Sequence, residues 1–235
     1  GYHQYFFFNM SLDFQKGEMI LIDKELNWTS FDVVSKLRNS IKKKFNIKKI
    51  KVGHAGTLDP LASGLLLICT GKLTKKINDF SDLDKSYIGT LTIGSTTPSY
   101  DLETKPNINY PTAHITEDLI IETSKEFIGK IEQKPPAFSA VKKDGVRLYK
   151  LARKGIEVNV KKRGITIYEF QIKAINFPEV DFYVKCSKGT YVRSLAHDFG
   201  KKLDSGAHLS RLRRTSIGEY SVEKSVKLMD FIRHM

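Results

Sequence analysis

The segment Gly53-His54-Ala55-Gly56-Thr57-Leu58-Asp59-Pro60-Leu61-Ala62-Ser63-Gly64 holds one acidic side chain in a glycine-punctuated loop, directly ahead of the apolar run Leu65-Leu66-Leu67-Ile68-Cys69. Glycines let a backbone turn tightly and let a bulky ligand approach where a Cβ would collide. Pro60 confines Asp59 to extended conformations, so the chain is fixed there and the carboxylate can be aimed. The apolar run reads as a short buried strand that anchors the loop. A carboxylate held in this way works by attacking carbon or by taking a proton, and both need it ionised in a site that excludes water. An Asp before Pro also commonly does no more than close an Asx turn. The loop alone leaves both readings open.

Three further segments follow in order: Lys85-Ser86-Tyr87, Cys186-Ser187-Lys188-Gly189-Thr190-Tyr191-Val192-Arg193 and Gly206-Ala207-His208-Leu209-Ser210-Arg211-Leu212-Arg213-Arg214. With the aspartate loop they resemble the motifs of the pseudouridine synthases, specifically the branch that makes pseudouridine 55 in the T-loop of tRNA. The resemblance runs from about Gly17 to the C-terminus. It implies that Asp59 is the catalytic carboxylate, that Tyr87 is the active-site tyrosine and that Arg193 is the active-site arginine. Tyr87 can stack on a flipped uracil with its hydroxyl near C5, where a proton must leave. Arg193 is the group to pair with Asp59, since a buried guanidinium favours the charged carboxylate and cannot itself be titrated away. The resemblance carries Tyr191 and Leu212 over as walls of the uridine pocket and Lys24 as a lysine close to the site. His54 is expected to serve RNA recognition, filling the space a flipped base vacates or touching phosphate.

Pseudouridine formation breaks the N1 to C1′ bond, rotates the uracil and rejoins it through C5, without redox change or energy input, so no cofactor is expected. The sequence agrees. Gly64 and Gly71-Lys72 are separated by six residues and followed by Leu73, which is not a phosphate-binding GxxxxGK[ST] loop. No His, Cys and Asp cluster has metal-ligand spacing, so no metal is expected.

The chain has 235 residues and a formal net charge of +13. That balance favours a polyanionic partner, nucleic acid first and an anionic membrane surface second. The cations are clustered: Lys36, Arg38, Lys42, Lys43, Lys44, Lys48, Lys49 and Lys51 have no acid between them. A second group includes Lys142, Lys143, Arg147 and Lys150, and a third Arg211, Arg213 and Arg214. Such clustering is what phosphate neutralisation needs, and Lys142, Lys143, Arg147, Lys150, Arg213 and Arg214 are the expected RNA contacts. Cys69 and Cys186 read as buried thiols of a reducing compartment, not a disulfide framework. No apolar run approaches the length of a membrane span. The expected partner is therefore tRNA, through its T-arm and T-loop, in the cytoplasm, with a monomer needing no obligate protein partner as the default. A tRNA-folding chaperone, or a synthase acting on another RNA, are the alternatives.

A first strand is expected around Met19-Ile20-Leu21-Ile22, then a helix opened by the capping box Thr29-Ser30-Phe31-Asp32 with Val34, Leu37, Ile41 and Phe45 as its apolar stripe. Tyr87 to Ile93 reads as a strand and Thr116 to Phe127, closed by Gly129, as a helix. Residues 130–158 are irregular and cation-rich and read as an insertion or a mobile arm. In the family this region is a thumb that closes on the T-loop. Ile165 and Ile167 alternate in one phase and Phe170, Ile172 and Ala174 in the other, which predicts a bulge near Tyr168 or Glu169. Val180, Phe182, Val184 and Cys186 mark a half-buried strand. Val192, Leu195, Ala196, Phe199 and Leu203 mark a helix, with Arg193 beside its buried stripe. Interspersed elements without a regular βαβ repeat predict an α+β fold, with a mixed, mainly antiparallel sheet flanked by helices. Residues 1–16 read as an upstream extension or cloning remnant, with Met10 a plausible natural start. Residues 17–235 read as the catalytic domain. Bacterial-type members usually add a small C-terminal RNA-binding domain, and no full one is expected here.

Overall fold

The structure, a computed structural model, describes residues 11–139, 142–143, 145–156 and 159–235. The expected start at Met10, the aromatic run 5–8, Asp144 of the Asp144-Gly145 turn and the arm's last residue Val158 lie outside the described residues. In chain order come strand β1 (Met19–Lys24), helix α1 (Ser30–Phe45), strands β2 (Val52–His54) and β3 (Ala62–Thr70) and helix α2 (Ile77–Ser81). Strands β4 (Lys85–Ile93), β5 (Ser95–Thr96) and β6 (Ile108–Asn109), helix α3 (Glu117–Lys125), strands β7 (Gly129–Gln133), β8 (Lys142–Lys143) and β9 (Val146–Arg147) and helix α4 (Leu148–Arg153) follow. The chain closes with strands β10 (Arg163–Asn176) and β11 (Glu179–Cys186), helix α5 (Val192–Lys202), strands β12 (Ala207–Ile217) and β13 (Tyr220–Ser221) and helix α6 (Leu228–His234). This is the expected mixed, mainly antiparallel α+β arrangement, with a parallel bridge between Ile22 and Val226.

The described chain divides into two compact units: residues up to Tyr87 with Arg213–Met235, and Ile88–Leu212. In the first, β1 lies antiparallel to β3, with Met19 opposite Cys69 and Lys24 opposite Gly64, and β2 pairs with β3 through Val52 and Thr70. Side chains alternate across a strand. Leu66 and Ile68 therefore enter one apolar cluster with Ile20, Ile22, Leu37 and Phe231, while Leu65, Leu67 and Cys69 enter another with Leu21, Ala55 and Ile217. Burial on both faces is why the segment reads as an unbroken apolar run. All five residues from Leu65 to Cys69 are 0% exposed, and each large side chain so buried contributes about 1.5–3 kcal/mol. Strand β3 is thus the fixed base of the aspartate loop.

The capping box of α1 forms as expected: the Thr29 hydroxyl accepts from the Asp32 amide at 2.9 Å and the Asp32 carboxylate from the Thr29 amide at 2.9 Å. Val33, Val34, Leu37 and Ile41 are buried, but Phe45 is 44% exposed. It is the last helical residue, so its ring lies at the rim, tilted against Phe14 at 5.5 Å.

In the second unit β10 pairs antiparallel with β11 and with β7. The register between β10 and β11 shifts between Ile167 and Glu169, at the predicted bulge, and again between Ile172 and Ala174. Phe127, Phe170, Phe182 and Phe199 pack at centroid separations of 5.7 to 6.2 Å. One difference concerns the segment read as irregular. Lys130 to Gln133 belong to strand β7, paired with Thr166 to Arg163 of β10, so regular sheet reaches into the expected arm. Later in that arm β8 and β9 form a two-residue hairpin leading directly into α4.

Candidate active site

In the first unit the Asp59 loop is pinned at several backbone positions. Ser30, in the first turn of α1, accepts from the Leu58 amide at 2.8 Å and donates to the Leu58 carbonyl at 3.1 Å. The Asp59 carbonyl accepts from the Ala62 amide at 2.9 Å, and that of Pro60 from the Asn27 amide at 2.7 Å. Arg214 is 2% exposed. Its guanidinium donates to the carbonyls of Leu65 at 2.9 Å and Gly56 at 3.0 Å, and to that of Thr57 at 3.5 Å. Gly64 has φ +106°, and a Cβ there would collide with the Arg214 backbone. Asp59 is therefore held on both sides by fixed main chain, the condition for aiming a reactive group.

Beside that loop stand Lys24 and His54. Lys24 is 1% exposed, and its ammonium donates to the Trp28 carbonyl at 2.7 Å and the Glu25 carbonyl at 2.9 Å. Burial pushes its pKa down to about 8. The Arg214 charge works in the same direction, and the Asp59 and Asp32 carboxylates work against it. His54 accepts from the Gly56 amide at 3.3 Å, and burial together with Arg214 lowers its pKa. One ring nitrogen of His54 is thus committed to the loop backbone. Tyr87 lies in β4 and is 9% exposed.

One expectation in this unit changes. Arg214, named as an RNA contact, is enclosed and spends its donors on loop carbonyls, so it is a clamp on the loop and does not present itself to phosphate. Arg213 makes a two-pronged bond to Asp23, at 2.9 and 3.1 Å, and remains partly exposed. Burial works to raise the Asp23 pKa, but Arg213 and Lys227 outweigh it and hold the carboxyl below its usual range.

In the second unit Tyr191 caps α5. The Gln133 side chain brackets its peptide, accepting from the Tyr191 amide at 2.9 Å and donating to its carbonyl at 3.1 Å. Arg193 was expected beside the buried stripe and is instead only 6% exposed. The first turn of α5 packs against two segments, so its flank is covered too. The Arg193 guanidinium donates to the carbonyls of Phe138 at 2.9 Å and Ser99 at 3.4 Å, and lies 3.9 Å from the Asp101 carboxylate. Asp101 in turn accepts from the Ser99 hydroxyl at 2.7 Å and the Glu103 amide at 2.9 Å. Next to it Tyr100, at φ +67°, stacks on His197 of α5 with ring centroids 3.8 Å apart. Leu212 is half-buried in β12. Lys142 and Lys143 pair through their backbones with Arg147 and Val146, and Arg147 and Lys150 are exposed, as a phosphate contact requires.

Sequence reasoning did not single out Ser30, Gln133 or Asp101. Ser30 was hidden inside the capping box, because a helix-start serine explains itself locally. Asp101 carried a signal that was passed over: Ser99, Asp101 and Thr104 after Pro98 have the spacing of side chains that hydrogen-bond their own turn. The structure brings Lys24, His54, Asp59, Tyr87, Arg213 and Arg214 into one unit, and Lys142, Lys143, Arg147, Lys150, Tyr191, Arg193 and Leu212 into the other.

A model described as the TruB family pseudouridylate synthase N-terminal domain matches residues 42–192, and one described as the tRNA pseudouridylate synthase B C-terminal domain matches residues 193–235. The chain is 56% identical over 220 residues to a tRNA pseudouridine synthase B of Flavobacterium johnsoniae, covering 93% of this chain and 96% of that protein. It is 52% identical to the protein of the same name from Phocaeicola vulgatus, covering 94% of each. Among solved structures it is similar to a chain of a Cbf5-Nop10-Gar1 complex, with a TM-score of 0.69 and 32% identity over 94% of this chain and 54% of that one. A chain of an H/ACA RNP bound to a substrate RNA containing 2′-deoxyuridine gives a TM-score of 0.67 and 29% identity, over 94% of this chain and 53% of the other. This chain spans about half the length of those two solved chains.

Proposed function

We propose that this chain, which belongs to the TruB family of pseudouridylate synthases, converts uridine 55 in the T-loop of tRNA to pseudouridine. The observation that carries the reading is the Asp59 loop, gripped by Ser30 on one side and Arg214 on the other, so that a single carboxylate is fixed between glycines.

Asp59 acts on the extruded nucleotide as nucleophile or base. Extrusion costs a few kcal/mol. The ring of Tyr87 supplies a stacking face and its hydroxyl reaches C5. Arg193, oriented by Asp101 and two carbonyls, stabilises the carboxylate, and Tyr191 and Leu212 wall the uridine pocket. The isomerisation is redox-neutral and is carried by these side chains. Lys142, Lys143, Arg147 and Lys150, within a thumb-like arm at residues 130–158, hold the RNA backbone, and Arg213 assists. The enzyme works as a cytoplasmic monomer without a protein partner, and residues 17–235 constitute its catalytic domain.

The test uses a tRNA transcript tritiated at C5 of uridine. The wild type should release tritium, and release should vanish with Asp59→Asn and with a transcript lacking the T-loop uridine. Substantial turnover by Asp59→Asn would remove Asp59 from the reaction. Binding by the wild type without release would favour a tRNA-folding chaperone.

A further inference from the structure

Away from the aspartate loop, the first unit contains a cavity of about 790 Å³ whose charged lining is entirely cationic. Arg38 and Lys42 come from α1, Lys48, Lys49 and Lys51 from the segment before β2, and Lys72 and Lys75 from the turn after β3. Among the described residues, none of these seven forms an ion pair within 4 Å.

The floor beneath them is built. Gln15 donates to the Lys49 carbonyl at 3.0 Å and accepts, through its own carbonyl, from the Lys72 amide at 3.2 Å, while the Gly71 amide donates to the Lys51 carbonyl at 2.8 Å. Gly71 has φ +55°, and a Cβ there would collide with the carbonyl oxygens of Phe14 and Gln15. Three stretches of chain are thus tied into one surface that carries like charges side by side. A bland account exists for Lys42, since cations in the last turn of a helix favour its C-terminal dipole. It does not reach Lys48, Lys49, Lys51 or Lys72, which lie outside the helix. Unneutralised cations gathered on a fixed floor repel one another, and a polyanion relieves that repulsion.

We propose that this cavity binds the phosphate backbone of the RNA substrate, as a second contact surface on the unit that carries Asp59. The proposal rests on reading the chain as an RNA-modifying enzyme. Strand β3 separates the two places: the Asp59 loop meets its Ala62 end and the cavity lies past its Thr70 end. At about 3.3 Å per strand residue that is roughly 26 Å, so an RNA that fills the cavity while its target base enters the loop runs well beyond the target nucleotide. The cavity reads phosphate, not sequence, because ammonium groups are point charges without a base-recognition pattern.

Replacing Lys42, Lys48, Lys49 and Lys72 together with Gln tests this. Three of the four are exposed, and none is in an apolar cluster. RNA affinity, measured between about 50 and 200 mM salt, should fall at least tenfold at the low end. The slope of log affinity against log salt should shrink by about 3. Tritium release at saturating RNA should be unchanged, and Lys→Arg at the same positions should restore the wild-type slope. An unchanged slope with unchanged affinity overturns the proposal. So does a variant that loses binding to anionic vesicles but not to RNA, which would make the cavity a lipid contact. Because binding is read separately from release, a wild type that binds RNA without turnover would defeat the enzymatic reading and leave this one standing.

Discussion

The Lys24 ammonium donates to two carbonyls and sits 1% exposed among Asp59, Arg214 and Asp32. Burial, reinforced by Arg214, depresses its pKa from 10.5 to about 8 against the pull of Asp59 and Asp32. At neutral pH Lys24 is charged and attracts the Asp59 carboxylate. Above about 8 it becomes neutral and that attraction ends. The rate of tritium release should therefore show an alkaline limb near pH 8 in the wild type. Lys24→Met should be slower at pH 7 and lack the limb, whereas an identical limb in that variant would exclude Lys24 as its source. Linkage gives the matching sign for stability: between about 8 and 10.5 the unfolded chain binds more protons, so Lys24 makes the fold more stable as pH rises through that window. Sequence gave little reason to weight Lys24, since its neighbours Asp59 and Arg214 are remote along the chain and only the fold assembles them.

Strand β3 and the loop before it depend on a backbone that a side chain would break. Gly64 has φ +106° and no room for a Cβ against Arg214, whereas Gly155 has φ +72° with nothing within 4 Å of where its Cβ would stand. Both substitutions to Ala carry left-handed strain, roughly 1–2 kcal/mol. Only Gly64→Ala adds a main-chain collision at the clamp. In chemical denaturation Gly155→Ala should cost about 1–2 kcal/mol, and Gly64→Ala several times that with loss of tritium release. Equal costs would mean that the Arg214 contact yields freely. Elements governed by local rules were legible in the sequence: the Thr29 to Asp32 capping box, the apolar run of β3 and the phase change at Tyr168 each leave a mark within a few residues. Strand β7 left none, because its partner residues in β10 lie some thirty positions on and its alternation of Lys130 and Glu132 resembles a solvated loop. Arg214 was misjudged because a guanidinium bonded to main-chain carbonyls has the same sequence signature as one facing solvent.

At the scale of the molecule, a net charge of +13 gives a general attraction for RNA, but what distinguishes contact from attraction is where phosphates sit. Two groups of cations are candidates: the cavity around Lys48, Lys49 and Lys72 in the first unit, and Lys142, Lys143, Arg147 and Lys150 in the second. If both hold phosphates, each set of neutralising Gln substitutions removes its own share of the counterion release. The loss of slope in the combined variant should then equal the sum of the two separate losses, as for independent sites. If instead the hairpin and α4 contribute only to the general field, the second set will slow association and leave the slope close to that of its parent. Measuring affinity against salt for the two sets and their combination separates these cases, since long-range charge acts mainly on encounter and a lost phosphate contact persists in the slope. We expect additivity, with a slope loss of about 3 from the second set, because β8 and β9 pair their backbones while Arg147 and Lys150 stay exposed.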